Sequence, residues 1–557
     1  MTSLRLPQFQ TASLPTALAF PVFMIAIFTA PRLLQAADTE FTTGSADPLI
    51  NYINEQIRQG WEDNEVTPSS VADDAEWLRR AYLDLTGHIP PADKVRDFLE
   101  DKDSAKRTKL IDELIDHPDY VRNFTEVWTN LLIGRNTPDR TSRVGMRKFL
   151  RESFARNRPW NDVVYDMVTA EGHFEENGAV NFILAQLQGN PNTEEYHVEA
   201  TARLTRIFLG MQVQCTQCHN HPFNEWKQNQ FWEFNSFLRQ ARRIDHDRYD
   251  PESGQNVDDY SELSFRDYDG PVYYEMRNGL VQVAYPTYFG AEVAPKAENR
   301  REELGKLMCY DDDQHTVARA YVNRMWGHFF GYGFTRPVDD MGPHNPASHP
   351  DLLDRLTDEF VKSGYDTKQL ARWICNSEAY NLTSQFNKGN DFDNPAAGEV
   401  PLFSHMYVKS MQAEQLYDSL IIATNAHKSG ASGYDAAEQQ RERWLRDYLR
   451  IFGGEEGDEV TSFTGSIPQA LLMMNGPLVQ NAIDAEKGSY LYSVLTDPGY
   501  RTDAMRAQAL FVSALGRIPS RYETSQISKQ MKGGDRLAFF QDLYWALLNS
   551  NEFLLVH

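Results

Sequence analysis

Five consecutive residues, Cys215-Thr216-Gln217-Cys218-His219, carry the most specific chemistry in this 557-residue chain. Two thiols three positions apart can add to the two vinyl groups of one porphyrin, and a histidine directly after the second thiol then falls beneath the iron as an axial ligand. The chain holds only four cysteines, and two of them stand at this spacing. The pattern predicts one covalent haem c, anchored by Cys215 and Cys218, with His219 on the iron. A sixth ligand must approach from the other face of the ring, which disfavours His221, two residues on. His197, His344, His349 or a methionine could take that position, or it could stay open. An open position suits small-ligand or peroxide chemistry, whereas a closed one suits electron transfer.

The same residues admit other chemistry. Cys215, Cys218, His219 and His221 offer four zinc donors within seven residues, although adjacent ligands strain a tetrahedron and structural zinc sites draw their pairs from separate segments. A redox dithiol or a disulfide is the third reading, but no thioredoxin-like βαβ context surrounds Cys215. Cys309 and Cys375 read as buried free thiols, with a disulfide between them in an oxidising compartment as the alternative. The aromatics that follow, Phe223, Trp226, Phe231, Trp232, Phe234 and Phe237, could wall a porphyrin or simply bury the face of a helix at 227–239. Arg324, beside Asn323, Trp326 and His328, could grip an anion, though an internal salt bridge is the commoner use of such an arginine. His344 and His349 could bind metal, but Ser348 and Pro350 read as a capped helix start. Asp311-Asp312-Asp313 reads as a solvated helix N-terminus and lacks the ligand spacing of a calcium loop. No hydrolase, zinc-protease or phosphate-loop motif is present, and no acid–base or nucleophile set can be assembled, so whether the chain is an enzyme stays open.

Helices must position these groups. The stripe Leu49, Ile50, Ile53, Ile57 and Trp61 predicts a helix over 46–62, and Val71–Leu85 predicts another that Gly87 and Pro90-Pro91 stop. Further helices are expected at 92–100, 105–116, 119–133 and 143–157, and the segment 194–213 leads into the cysteine motif at a helix end. Helical periodicity resumes at 313–330, 350–363, 367–376, 408–425, 467–484, 503–515 and 535–549. Between these halves, Val272–Glu275 and Leu280–Ala284 flank Asn278-Gly279, a hairpin signal. Two patterns recur along the chain. Leu114–Tyr120, Ile374–Tyr380 and Leu547–Phe553 share one shape, and Tyr82–Pro90 resembles Phe511–Pro519. Both read as helix–turn–helix packing units rather than a fixed-period repeat.

The chain starts with Arg5, an apolar run from Ala17 to Ala30, and small residues at Ala36-Ala37, which together predict a Sec-type signal peptide. Pro15 and Pro21 interrupt the run, although retention as an anchor is the alternative. Export agrees with the motif, because haem c is attached outside the cytoplasm. The expected location is periplasmic or otherwise extracytoplasmic, with no membrane span in the mature chain. A formal net charge of −24 excludes sequence-independent binding to nucleic acid and docking on anionic lipid.

Several stretches together resemble a known pairing of families. They are Tyr82–Gly87 with Pro90-Pro91, Phe208–Phe223, Val322–Trp326 with Gly331-Tyr332-Gly333, Ser348–Asp354, Asn376-Ser377 with Tyr380, and Leu547–Ser550. In order and spacing they are similar to the DUF1549 and DUF1553 domains of exported planctomycete proteins, the first of which is associated with planctomycete cytochrome c-like proteins. The resemblance implies architecture and compartment but no reaction, and it suggests an exported sulfatase-like neighbour as partner. The expectation is a mainly α, multi-helical two-domain protein with a small β-hairpin-containing insert between the domains. Residues 1–37 would be the signal peptide, 38–240 a DUF1549-like helical domain with the motif, 241–295 the insert, and 296–557 a DUF1553-like helical domain. The function expected is a cytochrome-like redox protein, either electron carrier or haem-dependent oxidoreductase, with a redox partner protein. The rival is a non-redox module of a polysaccharide-processing system, whose cysteine–histidine cluster binds zinc or forms a disulfide.

Overall fold

Helix ends fall largely where apolar periodicity meets a capping residue. The computed structural model describes residues 47–187, 189–292, 299–452, 467–531 and 534–557. The expected signal peptide lies outside the described residues. Pro48–Asp63 is capped by Asp47, whose carboxylate accepts from Leu49 N at 2.9 Å, and it buries Ile50, Ile53, Ile57 and Trp61. Asp74–Thr86 stops at Gly87, which is left-handed at φ +75°. A Cβ there would lie 2.5 Å from Asn123 Oδ1, so the position accepts only glycine. Ala92–Glu100, Lys106–Ile115, Pro118–Ile133 and Arg143–Ala155 then follow close to their expected bounds.

The recurring patterns are packing units. After Lys106–Ile115, Thr367–Cys375 and Arg536–Leu548, the chain returns Tyr120, Tyr380 and Phe553 respectively, all buried. The Tyr82–Pro90 unit and its counterpart at 511–519 pack against one another: Leu83 and Ile89 share a core with Phe511, Ala514 and Leu515, and just ahead of the first unit buried Arg79 donates to Ala514 O at 3.1 Å.

The β content is small and concentrated in the expected insert. Ala241–Asp250 and Gln255–Phe265 form a long antiparallel ribbon, and the two-residue strand Gly172–His173 joins its outer edge. Val272–Glu275 pairs with Val281–Ala284 around Asn278-Gly279, with Val272 opposite Ala284. The protein is therefore mainly α with a small β-containing region.

The largest apolar core takes residues from Leu49 through Tyr407, with Val512. A second joins Leu83 and Ile89 to residues 411–556. A small third core, formed by Val213, Phe231, Trp232, Val272 and Ala284, sits beside the cysteine motif. Among the described residues no helix is long and apolar enough to cross a membrane.

Two expected helices differ. The one at 467–484 is two, Ile467–Asn475 and Pro477–Ile483, because Pro477 lacks the N–H needed to continue and Gly476 serves as its N-cap. The one at 408–425 is shorter, Ala413–Thr424, because Lys409-Ser410 pairs instead with the strand Leu555–Val556.

Candidate functional site

The helix Val198–Phe208 delivers the cysteine motif. Its end is tied by Leu209 N and Met211 N, both donating to Thr205 O at 3.1 Å. Gly210 turns the chain left-handed at φ +64°, and the methyl of Met341 occupies the place a Cβ would need. Met341 N donates to Gly210 O at 2.7 Å, so the loop that follows the helix Thr316–Phe330 lies directly against the arm of the motif.

A single 3-10 turn, Gln214–Gln217, holds Cys215. Buried Thr216 pins it, its hydroxyl donating to Val213 O at 2.5 Å. Gln217 O accepts from Trp232 Nε1 at 3.0 Å and from Gln228 Nε2 at 3.2 Å. Gln228 also donates to Glu275 O at 2.9 Å, while its backbone N–H donates to Asn220 Oδ1 at 3.0 Å. The motif is thus clamped between the helix Gln228–Leu238 and the hairpin around Asn278-Gly279. Of the aromatics after it, Phe231, Trp232, Phe234 and Phe237 are buried in cores, Trp226 is half-buried against Phe289, and Phe223 is 80% exposed. Helix burial accounts for the first four.

Cys215 is half-buried, Cys218 is exposed, and both thiols are free. Burial pushes the Cys215 thiol up, and the Asp340 carboxylate adds to this. The other two cysteines, Cys309 and Cys375, are buried and free as expected.

The histidine tautomers separate the ligand candidates. His219 Nδ1 lies 2.6 Å from Asn220 O. A carbonyl only accepts, so Nδ1 carries the proton and Nε2 keeps its lone pair, the form a metal ligand requires. His221 is held the other way. Its Nδ1 accepts from Phe223 N at 3.2 Å and from Asn224 N at 3.0 Å, which leaves the proton of the neutral ring on Nε2. Burial holds His221 below its ordinary range; Asp340 opposes this shift, while His344 and His219 reinforce it.

The facing loop is organised by Asp339. Its carboxylate takes Arg206 Nε at 2.6 Å and Gln212 Nε2 at 2.8 Å, with Arg324 Nη2 at 3.7 Å. Arg324 therefore serves an internal ion pair. Asn323, fully buried, donates to Thr335 Oγ1 at 2.8 Å and to Val338 O at 2.9 Å, and accepts from Phe334 N at 2.7 Å. His328 Nε2 bonds Asp84 O at 3.0 Å. His344 bonds Asp340 Oδ1 through Nε2 at 2.9 Å, and its ring lies 6.0 Å from that of His221.

The remaining candidates lie elsewhere. His197 is buried and uses both nitrogens, Nε2 on Ala241 O at 2.8 Å and Nδ1 beside Arg239 Nη1 at 3.4 Å. His349 faces Gly60 of the first helix and the ring of Phe403. The helix Pro350–Lys362 starts as expected, but Ser348 does not cap it: its hydroxyl pairs with His349 Nδ1 at 3.0 Å. Asp312 does act at a helix start, accepting from Thr316 N at 2.9 Å. Sequence reasoning missed Asp339, Asp340 and Met341, which carry no motif and acquire a role only through packing against Gly210 and Gln212.

Cys215, Cys218 and His219 are the residues that would hold a covalent porphyrin. A porphyrin brings four nitrogens of its own and asks the protein for two thiols and one oriented imidazole. Among the described residues, no three His, Cys, Asp or Glu side chains converge closely enough to hold an ion by themselves. His221, moreover, stands in the wrong tautomer for the four-donor zinc set.

A family model described as a protein of unknown function, DUF1549, matches residues 52–243, and a second, described as a protein of unknown function, DUF1553, matches residues 300–531. No curated protein and no solved structure matches the chain. The cysteine motif falls in the first match and its facing loop, with Asp339, Asp340 and His344, in the second. The chain belongs to the proteins that join a DUF1549 domain to a DUF1553 domain.

Proposed function

We propose that this protein is an exported c-type cytochrome-like redox protein that carries one covalent haem on Cys215 and Cys218, with His219 as axial ligand. The observation that carries the reading is the hydrogen bond from His219 Nδ1 to Asn220 O, which leaves Nε2 free beside two unpaired thiols. A haem bound there would supply one-electron chemistry. The chain's own contribution is to hold the site: Asn220 fixes the His219 ring, Trp232 and Gln228 fix the turn, and the small apolar core beneath Val213 backs it. The basic, apolar and small-residue start of the sequence supports export, in the compartment where such a haem is attached. The acidic composition suits a protein redox partner rather than nucleic acid.

In a host that matures c-type cytochromes, the wild-type chain should show a Soret band and Cys215→Ser/Cys218→Ser should lack it while keeping its helical circular dichroism. Wild-type protein without a Soret band, but with one equivalent of zinc, would overturn the redox reading in favour of a structural metal site.

A further inference from the structure

Two strands at sheet edges are built in opposite ways. In the three-stranded sheet, Ala241–Asp250 lies outermost. It carries Arg242, Arg243, Asp245, Asp247, Arg248 and Asp250, and its register shifts between His246 and Asp247. Charges and bulges keep a free edge from pairing with another chain. Val281–Ala284, the second strand of the Asn278-Gly279 hairpin, has neither. Val281 is 64% and Val283 51% exposed, with Gln282 exposed between them.

The hydrogen bonds of the hairpin fix which groups this edge presents. Gly279 N donates to Met276 O and Met276 N to Leu280 O, both at 2.9 Å, so Met276 and Leu280 form a bonded pair. Antiparallel pairs alternate, which makes Tyr274–Gln282 and Val272–Ala284 bonded pairs as well. Tyr273, Glu275, Val281 and Val283 therefore turn their N–H and C=O groups away from the opposite strand. Glu275 O shows this phase directly, accepting from Gln228 Nε2 at 2.9 Å on the side of the motif. On the other side, among the described residues, no backbone group reaches Val281 or Val283. Val272 and Ala284 lie in the small core and Tyr274 stacks on Trp232 at 5.9 Å, so the ribbon is held in place with its edge open.

The strand this edge fits is a copy of itself. Val281-Gln282-Val283 reads the same in both directions. A two-fold axis at Gln282 sets Val281 against Val283 of the second copy, and Val283 against Val281 of the second copy. Both are bonded pairs, and their four hydrogen bonds use every outward-turned group of the four valines. The valine side chains then meet as β-branched neighbours on one face. Charge points the same way. Residues 271–291 hold one acid, Glu275, and one base, Arg277, in a chain of formal net charge −24. Two such chains repel one another, and this neutral stretch opposes their approach least.

We propose that Val281–Val283 is the edge through which two copies of this chain associate, their strands pairing antiparallel about Gln282 into one four-stranded sheet. The two cysteine motifs then flank that sheet, each on the outer side of its own hairpin. The inference stands apart from the haem reading and holds with or without the cofactor.

The test is sedimentation of the full chain over a range of concentrations. Wild type should be a dimer at tens of micromolar and dissociate on dilution, and Cys215→Ser/Cys218→Ser should behave identically. Val281→Lys/Val283→Lys sets like charges directly opposite one another and should be monomeric throughout, with its helical circular dichroism unchanged. In the Cys215→Ser/Cys218→Ser background, Gln282→Cys should form an interchain disulfide on oxidation. Residues facing across a non-bonded pair lie about 4.5 Å apart at Cα, within disulfide reach. Val283→Cys in the same background should not, because it faces Val281 of the second copy. A wild type that is monomeric at every concentration would overturn the inference and leave the edge to a strand of another protein. A lysine variant that still dimerises, or a Gln282→Cys chain that forms no interchain disulfide, would also overturn it. None of these results bears on haem attachment, which the Soret band reports.

Discussion

Lys409→Met should lower the stability of the folded chain by about 3–5 kcal/mol, the usual consequence of removing one partner from a buried ion pair. Lys409 Nζ reaches Asp84 Oδ1 at 2.6 Å and also donates to His328 O at 2.8 Å and Phe329 O at 2.9 Å. Asp84 is buried, its other carboxylate oxygen accepting from Tyr380 OH at 2.9 Å. The residues come from the helix Asp74–Thr86, the helix Thr316–Phe330, the segment after Thr367–Cys375, and the short strand Lys409-Ser410. The variant leaves the Asp84 charge with no cation and uncovers two carbonyls at a helix end, where a lysine is well placed. Burial, with Asp84 adding to it, pushes the neighbouring Cys375 thiol well up, in keeping with a low-dielectric surround. The double variant Asp84→Asn/Lys409→Met should lose less than the sum of its single variants, by about 1–3 kcal/mol. Urea midpoints of the four proteins give the coupling directly. Strict additivity would mean that the pair does not act as a unit.

Mild acidification should destabilise the protein well before its carboxylates titrate. Burial drives His197 down to about 3, despite its bond to Ala241 O, and Arg239 adds to the depression. Burial also drives His349 down to about 4. An unfolded histidine titrates near 6.5. Between that value and the folded one, the unfolded chain binds a proton that the folded chain refuses, so stability falls as pH falls. The His197 contribution is fully present above pH 6.5 and is lost at about 1.4 kcal/mol per pH unit on the way down to its folded pKa. His349 adds a similar slope that ends sooner. His197→Gln keeps a donor for Ala241 O and an acceptor for Arg239 without the titration. Its unfolding free energy, followed from pH 6.5 to 5, should show the wild-type slope reduced by about 1.4 kcal/mol per unit. An unchanged slope would show that burial of His197 does not govern the acid response.

Local chemistry made much of the fold legible. The helix Asp503–Leu515 is expected at those residues from its periodicity, and Thr502 caps it and left-handed Gly516 closes it. The Asn278-Gly279 hairpin followed from turn chemistry alone. What escaped depended on partners remote in sequence. Lys409-Ser410 reads as part of a helix until Leu555-Val556 arrives to pair with it, and Gly172-His173 is too short to signal a strand without the ribbon it joins. The break at Gly476-Pro477 was visible in the residues, and a continuous apolar stripe concealed it. At the site, the cysteine spacing leads to the haem proposal, but spacing says nothing of tautomers. That His219 can ligate and His221 cannot depends on Asn220 O and on the amides of Phe223 and Asn224. That the loop at 339–341 lies against the arm of the motif depends on Met341 packing into the hollow at Gly210, a contact across more than a hundred residues.

The measurement that bears most directly on the central claim is the intact mass of the full chain, produced in a host that matures c-type cytochromes and denatured in acid, together with a haem stain of the denaturing gel. A chain heavier by one haem, with the stain migrating on its band, is the predicted result. A chain at its bare polypeptide mass with no stain would contradict the assignment of Cys215, Cys218 and His219 as a haem-attachment site.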